Sequence, residues 1–159
     1  MPTTVPCLWF DHGVAEQAAA YYVSIFPNSE ILGTTHYGPD TPGPEGAVMT
    51  VGVSLDGQRF VGLNGGPQFP FSEAISFQIP CADQAETDHD WNRLAEGGKE
   101  GPCGWVTDRF GVSWQVEPTV LRDLLEDPDL ARAQRAVQAM FQMGKIDIAE
   151  LQRAAGGPA

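Results

Sequence analysis

Three histidines and three cysteines carry the obvious chemistry of this chain: His12, His36, His89, Cys7, Cys81 and Cys103. Metal sites need paired ligands at short spacing, such as two His one helical turn apart or a C-x-x-C loop. None of these six residues is spaced so, and each is read as structural or solvated. Asp11-His12 offers a general base, because a carboxylate can orient and polarise an imidazole. The competing reading is a turn Asp that caps the next helix and leaves His12 exposed, and it is preferred. Glu117, just before Pro118, is read as a rim carboxylate rather than a buried acid. Ser24 and Ser113 lack an identifiable base. No Gly-rich loop leads into a Lys and a helix, so phosphate chemistry finds no support.

The elements that must position these residues are written in the alternation. Asp108-Arg109-Phe110-Gly111-Val112-Ser113-Trp114-Gln115-Val116 reads as a turn at Gly111 followed by a strand. Asp56-Gly57-Gln58-Arg59-Phe60-Val61-Gly62-Leu63 is a weaker copy. Placing Gly57 on Gly111 pairs Phe60 with Trp114 and Val61 with Gln115, which implies two related halves. Strands are expected over 5–10, 30–37, 47–55 and 58–64, with a helix over 14–26. Pro and Gly fill 38–46, a long turn. After a linker at 65–71 the order repeats. Strands are expected over 74–79, 99–101, 103–107 and 112–117, with a helix over 83–95 whose inner side is Ala85, Trp91, Leu94 and Ala95. Helices follow over 120–125, 129–143 and 147–155, and the tail Gly156-Gly157-Pro158 should fray. Met140, Phe141, Ile146, Ile148 and Leu151 form an apolar set there.

The fold class is therefore α+β: two βαβββ modules, 5–64 and 74–118, forming a curved mixed sheet, with a C-terminal helical extension over 119–155. With 159 residues and 42% hydrophobic content, one domain over 1–159 is the expectation. The net charge is -12, from 9 Lys+Arg against 21 Asp+Glu. Such a surface repels phosphate backbones and anionic membranes, so neither nucleic acid nor membrane is an expected partner. No apolar run approaches the ~20 residues that span a bilayer, and Met1-Pro2-Thr3-Thr4-Val5-Pro6 has no basic, apolar leader pattern. A cytoplasmic chain with buried, reduced thiols is the expectation.

A duplicated βαβββ module resembles the vicinal oxygen chelate superfamily of glyoxalase I, bleomycin-resistance proteins and extradiol dioxygenases. Cys7-Leu8-Trp9-Phe10-Asp11, the run Tyr22 to Ser29, Ser76-Phe77-Gln78-Ile79-Pro80-Cys81 and Asp108 to Pro118 are similar to its PhnB-like branch, often labelled 3-demethylubiquinone-9 3-methyltransferase. The resemblance is read along roughly the whole chain, C-terminal helices included. The turn Asp11-His12-Gly13-Val14 is one residue longer than the family's usual one. The resemblance implies a concave site, with metal-dependent members placing His or Glu on the first and last strand of each module. Those places carry over to Val5, Val61 (or Leu63), Ala74 and Gln115. Only Gln115 can coordinate, which implies no metal and no cofactor. The methyltransferase label finds no support, since a strand, Gly-rich turn and helix in a doubly wound sheet is missing.

Alternation directs Leu8, Phe10, Phe77 and Ile79 to the helices, and Cys7, Trp9, Ser76, Gln78, Ser113, Gln115 and Glu117 to the cup. Trp9 is set opposite Gln78 in the repeat. A pocket between the modules is expected, lined by Trp9, Ser76, Gln78, Ser113 and Gln115 and suited to a small, mildly polar organic molecule. The alternative is a metal-dependent lyase, isomerase or dioxygenase of the same superfamily. Self-association as a homodimer is expected, to cover sheet edges and the C-terminal apolar set.

Overall fold

The computed structural model describes residues 4–156. The Gly157-Pro158 part of the tail and the start Met1-Pro2-Thr3 lie outside the described residues. The chain divides into two compact units between Phe71 and Ser72. The first unit runs β1 (Cys7–Phe10), α1 (Ala15–Ile25), β2 (Glu30–His36), β3 (Val48–Leu55) and β4 (Gln58–Asn64). The second runs β5 (Phe77–Cys81), α2 (Gln84–Ala95), β6 (Lys99–Glu100), β7 (Trp105–Thr107) and β8 (Ser113–Pro118), then α3 (Thr119–Leu125), α4 (Leu130–Met140) and α5 (Ile148–Gly156). Each unit is a βαβββ module on its own four-stranded mixed sheet. The orders are β1-β4-β3-β2 and β5-β8-β7-β6, one topology used twice.

In the first unit, Ala15, Ala18, Ala19, Tyr22 and Ile25 recur at helical spacing and are all buried. A Cβ at Gly62 would stand 3.2 Å from that of Ala15, so glycine lets α1 lie close on β4. Pro27 ends α1 by forcing Phe26 into extended backbone. Asp56 and Gly57 both have positive φ, 44° and 84°, the requirement of a tight two-residue hairpin between β3 and β4. The expected cap of α1 is corrected. Asp11 bonds the His12 amide at 2.6 Å, while the Ala15 amide donates to Asn64 Oδ1 at 2.9 Å. The Asn64 side-chain amide also donates to Val48 O at 3.0 Å, and the Asn64 backbone carbonyl accepts from the Tyr37 hydroxyl at 2.5 Å. One side chain at the end of β4 thus caps the helix and ties two strands together.

In the second unit, Asp83 caps α2 by accepting from the Glu86 amide, and Glu86 accepts in return from the Ala82 amide. Trp91 and Leu94 are buried as expected, but Ala85 is exposed and Thr87 takes its place inside. The Thr87 hydroxyl is satisfied by Asp83 O at 2.8 Å. Two strand starts shift. Ala74 and Ile75 belong to a turn, and β5 begins at Phe77, leaving Ser76 just before it. Cys103 has φ 57° and Gly104 φ 81°, a turn that delays β7 to Trp105.

Helices α3, α4 and α5 enclose a second core of Leu121, Leu124, Ala136, Ile146, Leu151 and Ala155. Ile146 and Leu151 are therefore interior, not surface for a partner; of the C-terminal apolar set, Phe141 is exposed. Gln84 joins α2 to this layer, donating to Ile146 O at 3.1 Å and accepting from the Ile148 amide at 2.8 Å.

The turn before β8 is organised by Asp108, which is 3% exposed. Its Oδ1 accepts from the Phe110 and Val112 amides at 2.8 and 3.1 Å, and its Oδ2 accepts from the Trp114 indole at 2.9 Å. Charge-assisted bonds of this kind offset the desolvation of a buried carboxylate. An amide at this position can turn only one acceptor inward, so its NH₂ would face donors. Asp108→Asn is expected to cost about 2–3 kcal/mol, measured by urea unfolding, and wild-type stability in that variant would contradict this account.

Candidate functional site

The register of the second sheet aligns three side chains across three strands. Gln78 of β5 stands beside Gln115 of β8, and Gln115 beside Trp105 of β7. Period-two alternation adds Ser76 and Glu117 to the same face. The polar members bond each other: Gln115 Nε2 donates to Ser76 Oγ at 2.7 Å, and Gln78 Nε2 to Glu117 Oε1 at 3.4 Å. Against this face stand Leu121, Arg122, Leu125 and Glu126 of α3 and its end, with Met140 and Phe141 closing α4 and Pro102 and Cys103 completing the rim. Together they enclose a groove of about 580 Å³. Burial pushes the Glu117 carboxyl above its ordinary range, while the Arg122 guanidinium draws it back down.

Of the expected site residues, Gln78 and Gln115 line this groove. Ser76 supports Gln115 by its hydrogen bond. Ser113 is 2% exposed, and its hydroxyl has no hydrogen-bond partner among the described residues. Trp9 belongs to the first unit. There its indole donates to Gly66 O at 2.8 Å and its ring meets Phe69 edge-on at 5.0 Å. The pairing of Trp9 with Gln78 is corrected by register. Cys7 pairs with Val61 as Gln78 pairs with Gln115, so Trp9 corresponds to Pro80, two residues on. The two-residue difference keeps the face but changes the neighbour. Trp105, Arg122 and Phe141 are groove residues that sequence reasoning missed. Trp105 is legible only as a hairpin partner of Gln115, and β7 is too short to reveal its pairing.

The histidines do not converge. His12 is 85% exposed at its side chain with Nε2 3.3 Å from Asp11, and His89 contacts Asp90 at 2.9 Å. Among the described residues no three His, Cys, Asp or Glu side chains gather as a metal-holding group. Val5 lies before β1 and Ala74 before β5, so neither carried-over metal place falls on its strand. The thiols differ from expectation too: Cys81 is buried, but Cys103 is only partly covered and Cys7 is exposed. No helix among the described residues is long and apolar enough to cross a membrane.

The model of the family described as 3-demethylubiquinone-9 3-methyltransferase matches residues 2–117. The match thus ends where β8 gives way to the C-terminal helices. A PhnB protein from Bacillus cereus, bearing the same methyltransferase label, is 31% identical, with a TM-score of 0.66 over 74% of this chain and 100% of that one. The protein PA1353 from Pseudomonas aeruginosa is 24% identical, with a TM-score of 0.58 over 72% of this chain and 95% of that one. The fosfomycin resistance protein FosX from Listeria monocytogenes, complexed with Mn(II) and sulfate, shares the fold at 17% identity, with a TM-score of 0.53 over 79% of this chain and 98% of that one. No curated protein sequence matches.

Cys81 gives a pH signature. Burial first, then the Asp90 carboxylate, push its thiol up to about 12 from an ordinary 9.0. The raised value means the folded state holds the proton more tightly. Its contribution to stability is whole below pH 9 and is lost as pH rises towards 12. Unfolding free energy between about pH 9 and pH 11 is expected to fall more steeply in wild type than in Cys81→Ala; equal slopes would refute this.

Proposed function

The chain belongs to the 3-demethylubiquinone-9 3-methyltransferase family, the PhnB-like branch of the vicinal oxygen chelate superfamily, and from that premise we propose that it binds a small organic molecule without a metal. The observation that carries the reading is the groove of about 580 Å³ in the second unit, where Trp105, Gln78 and Gln115 stand in register against a mainly apolar helical wall. That volume is the scale of a small-molecule site, with an aromatic for contact area and a few polar groups for orientation.

The donor set argues for the metal-free form. Register brings Cys7 beside Val61 in one unit and Gln78 beside Gln115 in the other. A valine, two neutral amides and a thiol are a poor set for a divalent ion that prefers imidazole and carboxylate. A likeness of 17% identity to the Mn(II)-bound FosX is a likeness of fold, and its metal does not transfer. Nor does the family label supply a reaction. The parallel pairs in the described sheets are β1 with β4 and β5 with β8, unlike the all-parallel order of a doubly wound nucleotide fold.

Native mass spectrometry of freshly purified protein is expected to show a co-purified organic mass and no stoichiometric metal by elemental analysis. Trp105→Ala should weaken retention of that mass by about tenfold, as losing a buried aromatic anchor does. Retention of Zn, Ni, Mn or Fe through gel filtration, or unchanged binding in Trp105→Ala, would sink the reading. Self-association belongs to the same proposal. Strand β2 is a sheet edge exposed along its whole length, with Ile31 and Leu32 among its residues. Sedimentation at micromolar concentration is expected to give a dimer, and a monomer would count against it.

A further inference from the structure

The groove's two walls differ in chemistry, one mainly polar and the other mainly apolar, and in origin. The sheet wall lies within the family-matched residues and ends at Glu117. The helical wall, with Leu121, Leu125, Met140 and Phe141 as its apolar part and Arg122 and Glu126 as its charged part, lies outside them. Each amide on the sheet wall uses one of its two N–H groups on a neighbour: Gln115 on Ser76 and Gln78 on Glu117. Their oxygens accept no hydrogen bond among the described residues. A Gln oxygen and an ionised carboxylate are acceptors only, while the Gln NH₂ donates. Each amide keeps a second N–H, so the sheet wall presents two amide oxygens and the Glu117 carboxylate as acceptors beside two N–H donors. Glu117 is its charged group; Arg122 and Glu126 come from α3 and its end.

Resting on the small-molecule reading above, we propose that the occupant is an organic ammonium, a primary or secondary amine carried on an apolar aromatic or alkyl body. The ammonium's N–H donors meet the acceptors of Gln78, Gln115 and Glu117. Its body lies between Trp105 and the helical wall, and Trp105 adds the attraction of a cation for an aromatic face. Burial holds the Glu117 carboxyl above its ordinary range against the opposing pull of Arg122, and a second cation beside it would relieve that cost further. A chain of net charge -12 also raises the local concentration of cations. The C-terminal helices thereby act as the specificity element: they set the shape of the apolar half and bring Arg122 and Glu126, while the sheet supplies Glu117 and the amides.

Three probes with one body test this: 4-phenylbutylammonium, 4-phenylbutanol and 4-phenylbutyrate, titrated by calorimetry against the full chain. The ammonium is expected to bind at least tenfold more tightly than the carboxylate, with the alcohol between. Glu117→Gln should weaken the ammonium about tenfold and leave the alcohol within twofold, whereas exposed Arg122→Gln should strengthen the ammonium. Phe141→Ala should weaken all three alike. Near-UV circular dichroism of each variant confirms that the fold is kept. If the carboxylate binds as tightly as the ammonium, and Phe141→Ala weakens it, the charge assignment is overturned while small-molecule binding in the groove stands. If none of the probes binds and native mass spectrometry finds no co-purified mass, both fall.

Discussion

The second unit depends on one buried carboxylate. Asp108 accepts from two turn amides and one indole, and so fixes both the path of the chain into β8 and the orientation of Trp114. Strand β8 pairs with β5 on one side and β7 on the other. An error in its entry angle would pass to both neighbours. Its inward residues, Trp114 and Val116, are buried, and the alternate residues, Gln115 and Glu117, face the groove. The carboxylate therefore sets core and site together. Removing one oxygen leaves buried donors unpaired, which is why a polar residue is held where an apolar one would first be expected.

The first unit solves the corresponding problem with an amide. Asn64 ends β4, caps α1 and holds β3. Its amide both accepts and donates, as the two partners require. The two units share a strand order but differ in this device, and in the course of the chain beyond the last strand. After β8 come three helices that bury their own core through Ile146 and Leu151. The layer stands on α2 through Gln84, whose amide accepts from the Ile148 amide that opens α5 and donates to the Ile146 carbonyl just before it. The cover this gives the second sheet creates the groove.

What the residues determined by themselves was the module and its faces. Asp56-Gly57 and Gly111 mark turns because only certain residues tolerate positive φ, and that constraint is local. The burial of Leu8, Phe10, Val116 and Trp114 follows from alternation, and α1 from its 3.6-residue spacing, again local facts. Matching Gly57 with Gly111 found the duplication, since each copy enters its last strand through a glycine of positive φ, although the loops themselves differ, 56–57 in one and 108–112 in the other. Tertiary structure decided whatever depends on register and on residues distant in the chain. The start of β5 at Phe77, the correspondence of Trp9 with Pro80, the cap of α1 by Asn64 and the alignment of Trp105 with Gln115 each rest on a partner strand that no short window contains. A period of two names the face a side chain takes, but a shift of two residues leaves that face unchanged, so neighbours across a sheet are fixed only when strands pair. The groove is the furthest case. Its lining runs from Gln78 on β5 to Phe141 at the end of α4, and only packing of α3 and α4 onto the sheet brings Arg122 and Phe141 to Gln78.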